Sequence, residues 1–468
     1  MFGVAAVGLF HADIYFPIWF SVAVLLFVSL YLLQQYRKKR FSILILLIWL
    51  VYSLPFIHIP PYIWFDFSQD PLLHWILAVN PYMVDVRVIK LTAMIGAVGG
   101  MGIAFGASLN RRRIQQDWGI NPDGSKRLFQ TIDMPVWLFW VVIGVALTAL
   151  SAPQETIFTA EYTKSKSALD GVNFGSAWMM SYVILSYTFC DALLERQAAI
   201  KYLKMKIILA AVILVVVFFQ LLRGDRESVS WVFGLALVYY YWAAGITQRR
   251  GFTIPWLKIS GVAFCLVVIS MVLGVIRSGL TGASLADAGA LIWDLYEAES
   301  IGLASALHGT WSAVLLTPLS VAGDHIYGLL AVKWGHDYLN LFLSIIPGFL
   351  ADAIGYIRPI DGMQGPAWEM RYGLGGTHAT VVPFINFRML GVFLGPAIWT
   401  FVMINYENMD LRKVSVIKLS LLVTIAMVSP HWLWYGEKNG FNALVLWLIL
   451  ALFYRVSLGL SRSVVVQR

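Results

Sequence analysis

Charge is scarce in this sequence. Of its 468 residues 13% are Asp, Glu, Lys or Arg, where a soluble globular chain carries about a quarter. Cysteine is nearly absent too. Cys190 and Cys265 both fall inside apolar segments, which excludes a disulfide framework and leads us to expect buried free thiols. No Cys/His cluster has metal-ligand spacing, so no metal or other cofactor is expected. No glycine-rich phosphate loop follows a strand-like run, which argues against nucleotide chemistry. Linker composition and internal repeats are also missing. The first ten residues are apolar but have neither a basic n-region nor a small-residue cleavage site, so no cleaved leader is expected.

What is abundant is apolar sequence: 59% of the residues, in recurrent runs near the length that crosses a bilayer. The expected fold is an all-α polytopic membrane protein, because only helices satisfy their backbone groups within such short apolar segments. Eleven spans are read, at 15–34, 42–58, 89–109, 133–152, 174–194, 206–222, 229–246, 259–276, 381–404, 416–433 and 441–458. The chain then divides into 1–277 (spans one to eight), 278–380 (one large outer loop) and 381–468 (spans nine to eleven), all in one integrated membrane domain. Within the loop, SAVLLTPLSVAG and LNLFLSIIPGFLADAIG are too broken for spans and suit surface or re-entrant helices.

Lysine and arginine set orientation. With RKKR at 37–40 placed inside, the same side receives 110–127, 195–206, 248–258, 411–418 and the C-terminal tail counted from Arg455, together 22 of the 34 basic residues. The acidic residues divide the other way, 19 of 26 lying outside or at outer span ends. The N-terminus is therefore expected outside and the C-terminus inside. The net charge of +8 reflects topology and does not call for a nucleic-acid partner. All eight histidines (His11, His58, His74, His308, His325, His336, His378 and His431) fall on the outer half, so polar chemistry is expected to face the periplasm or exterior.

Arginines collect on that side. Arg223 and Arg226 alternate with Asp225 and Glu227 in LLRGDRESVSWVFG; Arg277, Arg358 and Arg371 follow, and Arg388 lies inside the ninth span. A charge at mid-bilayer costs roughly 2.5–3.5 kcal/mol and usually faces a protein interior or an aqueous cavity. One reading makes the end arginines headgroup anchors paired with Asp225, Glu227, Asp361 and Glu369. The other makes them a site for a polyanion, since guanidinium forks bind phosphate oxygens bidentately at any physiological pH. His378, in GLGGTHATVVPF, is either a loop histidine bonded to backbone or an imidazole able to take a proton from an acceptor hydroxyl. Trp368, Tyr372, Trp432 and Trp434 are candidate sugar platforms, with interfacial anchoring the competing role for the last two.

Arg223 to Gly234 in R-x10-G order, the long outer loop, SIIPGFLADAIGYIRP and GGTHATVVPFINFRMLGVFLGP together resemble the Wzy family of lipid-linked oligosaccharide repeat-unit polymerases. The enterobacterial-common-antigen branch is the nearest in layout. The resemblance covers most of the chain and implies a GT-C-like, metal-independent, inverting glycosyltransferase of the bacterial inner membrane, its active site facing the periplasm. It implies undecaprenyl-diphosphate-linked oligosaccharides as donor and acceptor, Arg223, Arg226, Arg277, Arg358 and Arg371 on the diphosphate, and His378 as base, with catalysis carried by His378, Arg223 and Arg371. Asp225, Glu227 and Glu369 would support the arginines, and Trp368 and Tyr372 would contact sugar. Gly234 would permit close helix packing. A Wzz-type chain-length co-polymerase and a Wzx-type flippase would be functional partners. One departure is the spacing from His378 to Gly391, twelve intervening residues where the family often has about ten.

Three rivals stand beside this reading. An O-antigen ligase shares the donor but uses lipid A core as acceptor. A metal-dependent lipid-phosphate sugar transferase would use Asp66, Asp70 and Asp85. A flippase would show inverted repeats and polar residues deep in several spans, of which Asp191 and Arg388 are the clearest here.

Overall fold

The computed structural model describes residues 12–38, 43–57, 59, 85–109, 131–150, 177–194, 199–222, 227–247, 303–343, 353–355, 377–407, 415–435 and 437–466. Every regular element among them is a helix. In chain order they are α1 (Ala12–Arg37), α2 (Ile43–Ile57), α3 (Val86–Leu109), α4 (Met134–Leu150), α5 (Ala177–Leu194), α6 (Ala199–Leu222), α7 (Glu227–Thr247), α8 (Leu303–Ile326), α9 (His336–Leu343), α10 (Val381–Glu407), α11 (Val416–Tyr435) and α12 (Glu437–Val466). A helix thus lies at each expected span except 259–276, which falls outside the described residues. Among the described residues four helices, α1, α3, α10 and α12, are long and apolar enough to cross a membrane. Their outward surfaces are oily: Phe27, Leu30, Leu390 and Phe453 are each at least 60% exposed. Water would penalise that surface, and lipid does not.

Two compact units divide the chain. The first joins residues 1–115, 308–409 and 429–440. At its centre is α3, whose sequence GAVGGMGIAFG puts glycines on two faces. A Cβ on Gly102 or Gly106 would collide with the backbone carbonyl of Phe393 or Ala397 of α10. On the other face, Gly96 and Gly99 accommodate Phe56 and Tyr52 of α2, and Gly100 accommodates Trp49 and Leu25. Small residues four apart let helix backbones approach closely where no hydrophobic driving force acts between helices. Because Gly102 meets Phe393 and Gly106 meets Ala397, α3 and this part of α10 run in the same direction.

The ninth expected span departs from a straight helix. Arg388 has φ 54° and ψ −143°, breaking α10. A Cβ on Gly391 would strike the Pro383 carbonyl oxygen, and one on Gly395 would lie 3.3 Å from the Pro383 ring. In a continuous helix those positions would be about 12 and 18 Å apart. Residues 381–387 therefore fold back alongside 389–407. Only the second limb extends across, roughly 28 Å at 1.5 Å per residue, close to the thickness of the hydrocarbon core.

The second unit holds residues 116–307, 410–428 and 441–468. Polar groups on aromatic side chains tie its helices together. Trp137 Nε1 donates to the Thr188 carbonyl at 3.0 Å, Trp231 Nε1 to Ser186 Oγ at 3.0 Å, and the Tyr187 hydroxyl to the Trp447 carbonyl at 2.7 Å. Asp191 accepts from the Tyr454 hydroxyl and from the Ile132 amide, the latter at 3.2 Å. It is a structural acceptor inside the unit. Cys190 is buried and free, while Cys265 lies outside the described residues.

Orientation is open to direct measurement. With Cys190 and Cys265 replaced by alanine, Trp334→Cys, at a side chain 78% exposed, is expected to react with an impermeant thiol reagent on intact cells. Ser415→Cys, exposed before α11, is expected to react only after permeabilisation. Equal labelling of both would overturn the assignment of sides.

Candidate functional site

His378 stands where the chain leads into α10, and it is wholly buried. Its amide donates to Thr317 Oγ1 at 3.1 Å. The ring is enclosed by Tyr52 and Phe56, with centroids 5.0 and 4.9 Å away and Phe56 met edge-on. Nε2 lies 3.2 Å from the Tyr52 carbonyl oxygen, which can only accept, so Nε2 carries the proton. Nδ1 then accepts from Thr380 Oγ1 at 2.9 Å and from the Thr380 amide at 3.3 Å. Burial pushes the imidazole down to about 3, partly offset by the bond to Tyr52. A neutral ring with both nitrogens engaged inside the protein is the environment of a positioning residue. A general base needs one nitrogen turned toward substrate.

Tyr52 completes this knot. Its hydroxyl donates to the Gly96 carbonyl at 2.9 Å, which locks α2 onto α3 where a side chain at Gly99 would collide with it. The Ala379 amide bonds the Leu433 carbonyl at 2.9 Å. Residues 377–381 are thereby fixed from three directions.

A second polar cluster lies between α9, the loop before it and the folded-back limb of α10. Asp337 is buried, accepting from Lys333 Nζ at 3.1 Å and from Asn386 Nδ2 at 3.0 Å. Asn386 Oδ1 accepts the Gly335 amide at 3.0 Å, and the Lys333 amide bonds the Ile385 carbonyl at 3.3 Å. Next to it the Tyr338 hydroxyl donates to Glu437 Oε1 at 3.3 Å. Glu437 is half-buried as a residue, but Oε2 is enclosed and has no hydrogen-bond partner among the described residues. Burial pushes this carboxyl up to about 8, so it is mostly protonated at neutral pH.

Arg388 sits at the break itself. Nη2 donates to the Leu330 carbonyl at 2.5 Å, and Cζ lies 5.4 Å above the Phe384 ring. The same ring meets His325 edge-on at 5.5 Å. Nη1 is enclosed without an acceptor among the described residues.

The sequence reading is represented unevenly among the described residues. Arg223, Asp225, Arg226, Arg277, Arg358, Trp368, Glu369, Arg371 and Tyr372 lie outside them, as do Asp66 and Asp70. Glu227 opens α7, its side chain likewise outside. Gly234 is described and does admit a close approach: a Cβ there would lie 2.9 Å from the Val423 carbonyl oxygen of α11. Gly391 takes the turn-back of α10 described above. Trp432 is buried against Trp399, ring centroids 4.9 Å apart, which removes it from the sugar-stacking candidates. Asp85 is committed to Arg87, at 2.7 Å, and to the Tyr327 hydroxyl, also at 2.7 Å; the Arg87 bonds hold its carboxylate well below the usual range. Among the described residues no three His, Cys, Asp or Glu side chains converge as a metal site would require.

Lys333, Asp337, Asn386 and Glu437 were not singled out from sequence. Asp337 and Leu341, four apart and both buried on α9, are the one local signal. Compared with known protein families, curated proteins and solved structures, the chain matches none.

Proposed function

We propose that the protein is a membrane glycosyltransferase that lengthens undecaprenyl-diphosphate-linked oligosaccharides on the outer face of the bacterial inner membrane. The acceptor sugar hydroxyl attacks the donor's anomeric carbon. The carbon–oxygen bond to diphosphate breaks with its electron pair going to the diphosphate, and the hydroxyl proton passes to a base. Diphosphate leaves readily, so the protein's task is to neutralise its charge and align two lipid-borne substrates.

Support comes first from sequence: the arginines at 223, 226, 277, 358 and 371, the histidines on the same side, and the resemblance of their order to the repeat-unit polymerases. The structural observation that carries the reading furthest is the break in α10. The limb after the break is about as long as the hydrocarbon core is thick, so the break falls at the membrane's edge, where backbone that leaves a helix is tolerated if it is enclosed by protein or lines a cavity. Here it brings a cationic side chain and a polar cluster beside an amphipathic helix, α9, with Leu339 and Phe342 outward.

The test is purified protein in liposomes supplied with one lipid-linked repeat unit. We expect glycans of two or more repeats, released undecaprenyl diphosphate, and activity that survives EDTA. Arg223→Ala or Arg371→Ala is expected to slow lengthening by about 10²–10³. Full rates in both would return those arginines to headgroup anchoring. Transfer only to lipid A core would make the protein a ligase. Broken helices also serve transporters, so movement of intact substrate across the bilayer without lengthening would replace the transferase with a flippase.

A further inference from the structure

Arginine is an expensive choice at position 388. Its φ of 54° lies in the region that favours glycine, and a side chain held there costs on the order of 1–3 kcal/mol. Such a cost persists where the side chain has work that glycine cannot do. The guanidinium is not extended toward bulk headgroups. It is folded onto the Leu330 carbonyl and over the face of Phe384. No carboxylate pairs with it among the described residues: Asp337 is taken by Lys333 and Asn386, and Asp85 by Arg87. Nη1 still lacks an acceptor, and leaving a charged N–H enclosed and unpaired is costly.

The surroundings say which acceptor fits. Leu390, two residues on, is 63% exposed, Trp334 78% and Phe342 59%. Apolar and aromatic side chains turned outward beside membrane-length helices mark a lipid interface. A free anion gains nothing from such a rim. A phosphate carried on a lipid is delivered to it by its own acyl or prenyl chain.

From these observations we infer that Arg388 is a binding residue for the phosphate of a membrane lipid diphosphate, its unpaired Nη1 donating to a phosphate oxygen between the loop at Leu330 and the break in α10. Nη1 is covered, so seating a lipid there requires the side chains over it to part. This inference rests on the function proposed above, deepening it by naming a contact that sequence order did not assign.

Arg388→Gly makes the test sharp, because glycine suits the backbone there. The variant is expected to melt at or above the wild-type temperature while binding undecaprenyl diphosphate at least tenfold more weakly. Binding is measured with that lipid, without sugar, in detergent. Unchanged affinity overturns the inference. So does competition by inorganic pyrophosphate equal to that of the lipid, which would mean a free-anion site, and so does equal competition by phosphatidylglycerol, which would mean a general headgroup anchor. If the glycine variant does not fold, Arg388→Gln is read in the same way. Arg388-dependent binding by a wild-type protein that lengthens no glycan would keep the inference and sink the polymerase reading. A working polymerase whose variant keeps full affinity would do the reverse.

Discussion

Gly102→Val is expected to yield no monodisperse protein, or protein destabilised by more than about 3 kcal/mol. The reason is what a side chain there would meet. At most buried positions an added methyl presses on another side chain, which can rotate away. At Gly102 it meets the carbonyl oxygen of Phe393, and four residues on Gly106 faces the carbonyl of Ala397. Backbone against backbone leaves nothing to rotate, so α3 and α10 must separate. Residues 377–381, held between Thr317, Tyr52 and Leu433, would lose their frame with them. The control is Gly459→Val in α12, where nothing lies within 4 Å of the added Cβ; it is expected to change stability by less than about 1 kcal/mol. Size-exclusion profiles and thermal melts in detergent separate the two. Identical behaviour would mean that the two helices do not approach as described.

His378→Ala is expected to lose about 3–5 kcal/mol of stability, through the cavity left between Tyr52 and Phe56 and the loss of three hydrogen bonds. The rate of lengthening per folded molecule is expected to stay within about twofold of wild type, since the ring is occupied in holding the chain. A fall of 10²–10⁴ with stability unaltered would instead identify the base. The pH dependence gives a separate readout. The folded imidazole titrates near 3, the unfolded one near 6.5, so below 6.5 the unfolded chain binds the extra proton. The stabilisation is therefore complete above pH 6.5 and is lost as pH falls toward 3, by about 2 kcal/mol between 6.5 and 5. Glu437 acts oppositely. Its raised value, about 8, makes the folded protein hold the extra proton, so stability falls as pH rises from the ordinary glutamate range to 8. Melts of wild type and His378→Gln compared in a Glu437→Gln background isolate the histidine. Parallel curves in that background would show that the imidazole is not closed off from protons.

The apolar runs determined by themselves that this chain is helical. A segment such as 89–109 or 441–458 has no other way to bond its backbone groups away from water, so α3 could be read to within three residues, while α12 begins four residues before the expected span and runs eight beyond it. Gly234 was expected to pack closely through the resemblance, and a Cβ there would indeed press on the Val423 carbonyl. The break at Arg388 was not legible. FINFRMLGVF reads as continuous span, and the backbone leaves the helix there only because Pro383 finds Gly391 and Gly395 to lie against. The surroundings of His378 were equally beyond local reading: the spacing to Gly391 says nothing of Tyr52, 326 residues away in sequence. Periodicity reports how a segment meets its solvent. Which segments meet one another, and so whether an imidazole faces a substrate or a carbonyl, was decided by packing across long stretches of chain, for which a single sequence carries no local signal.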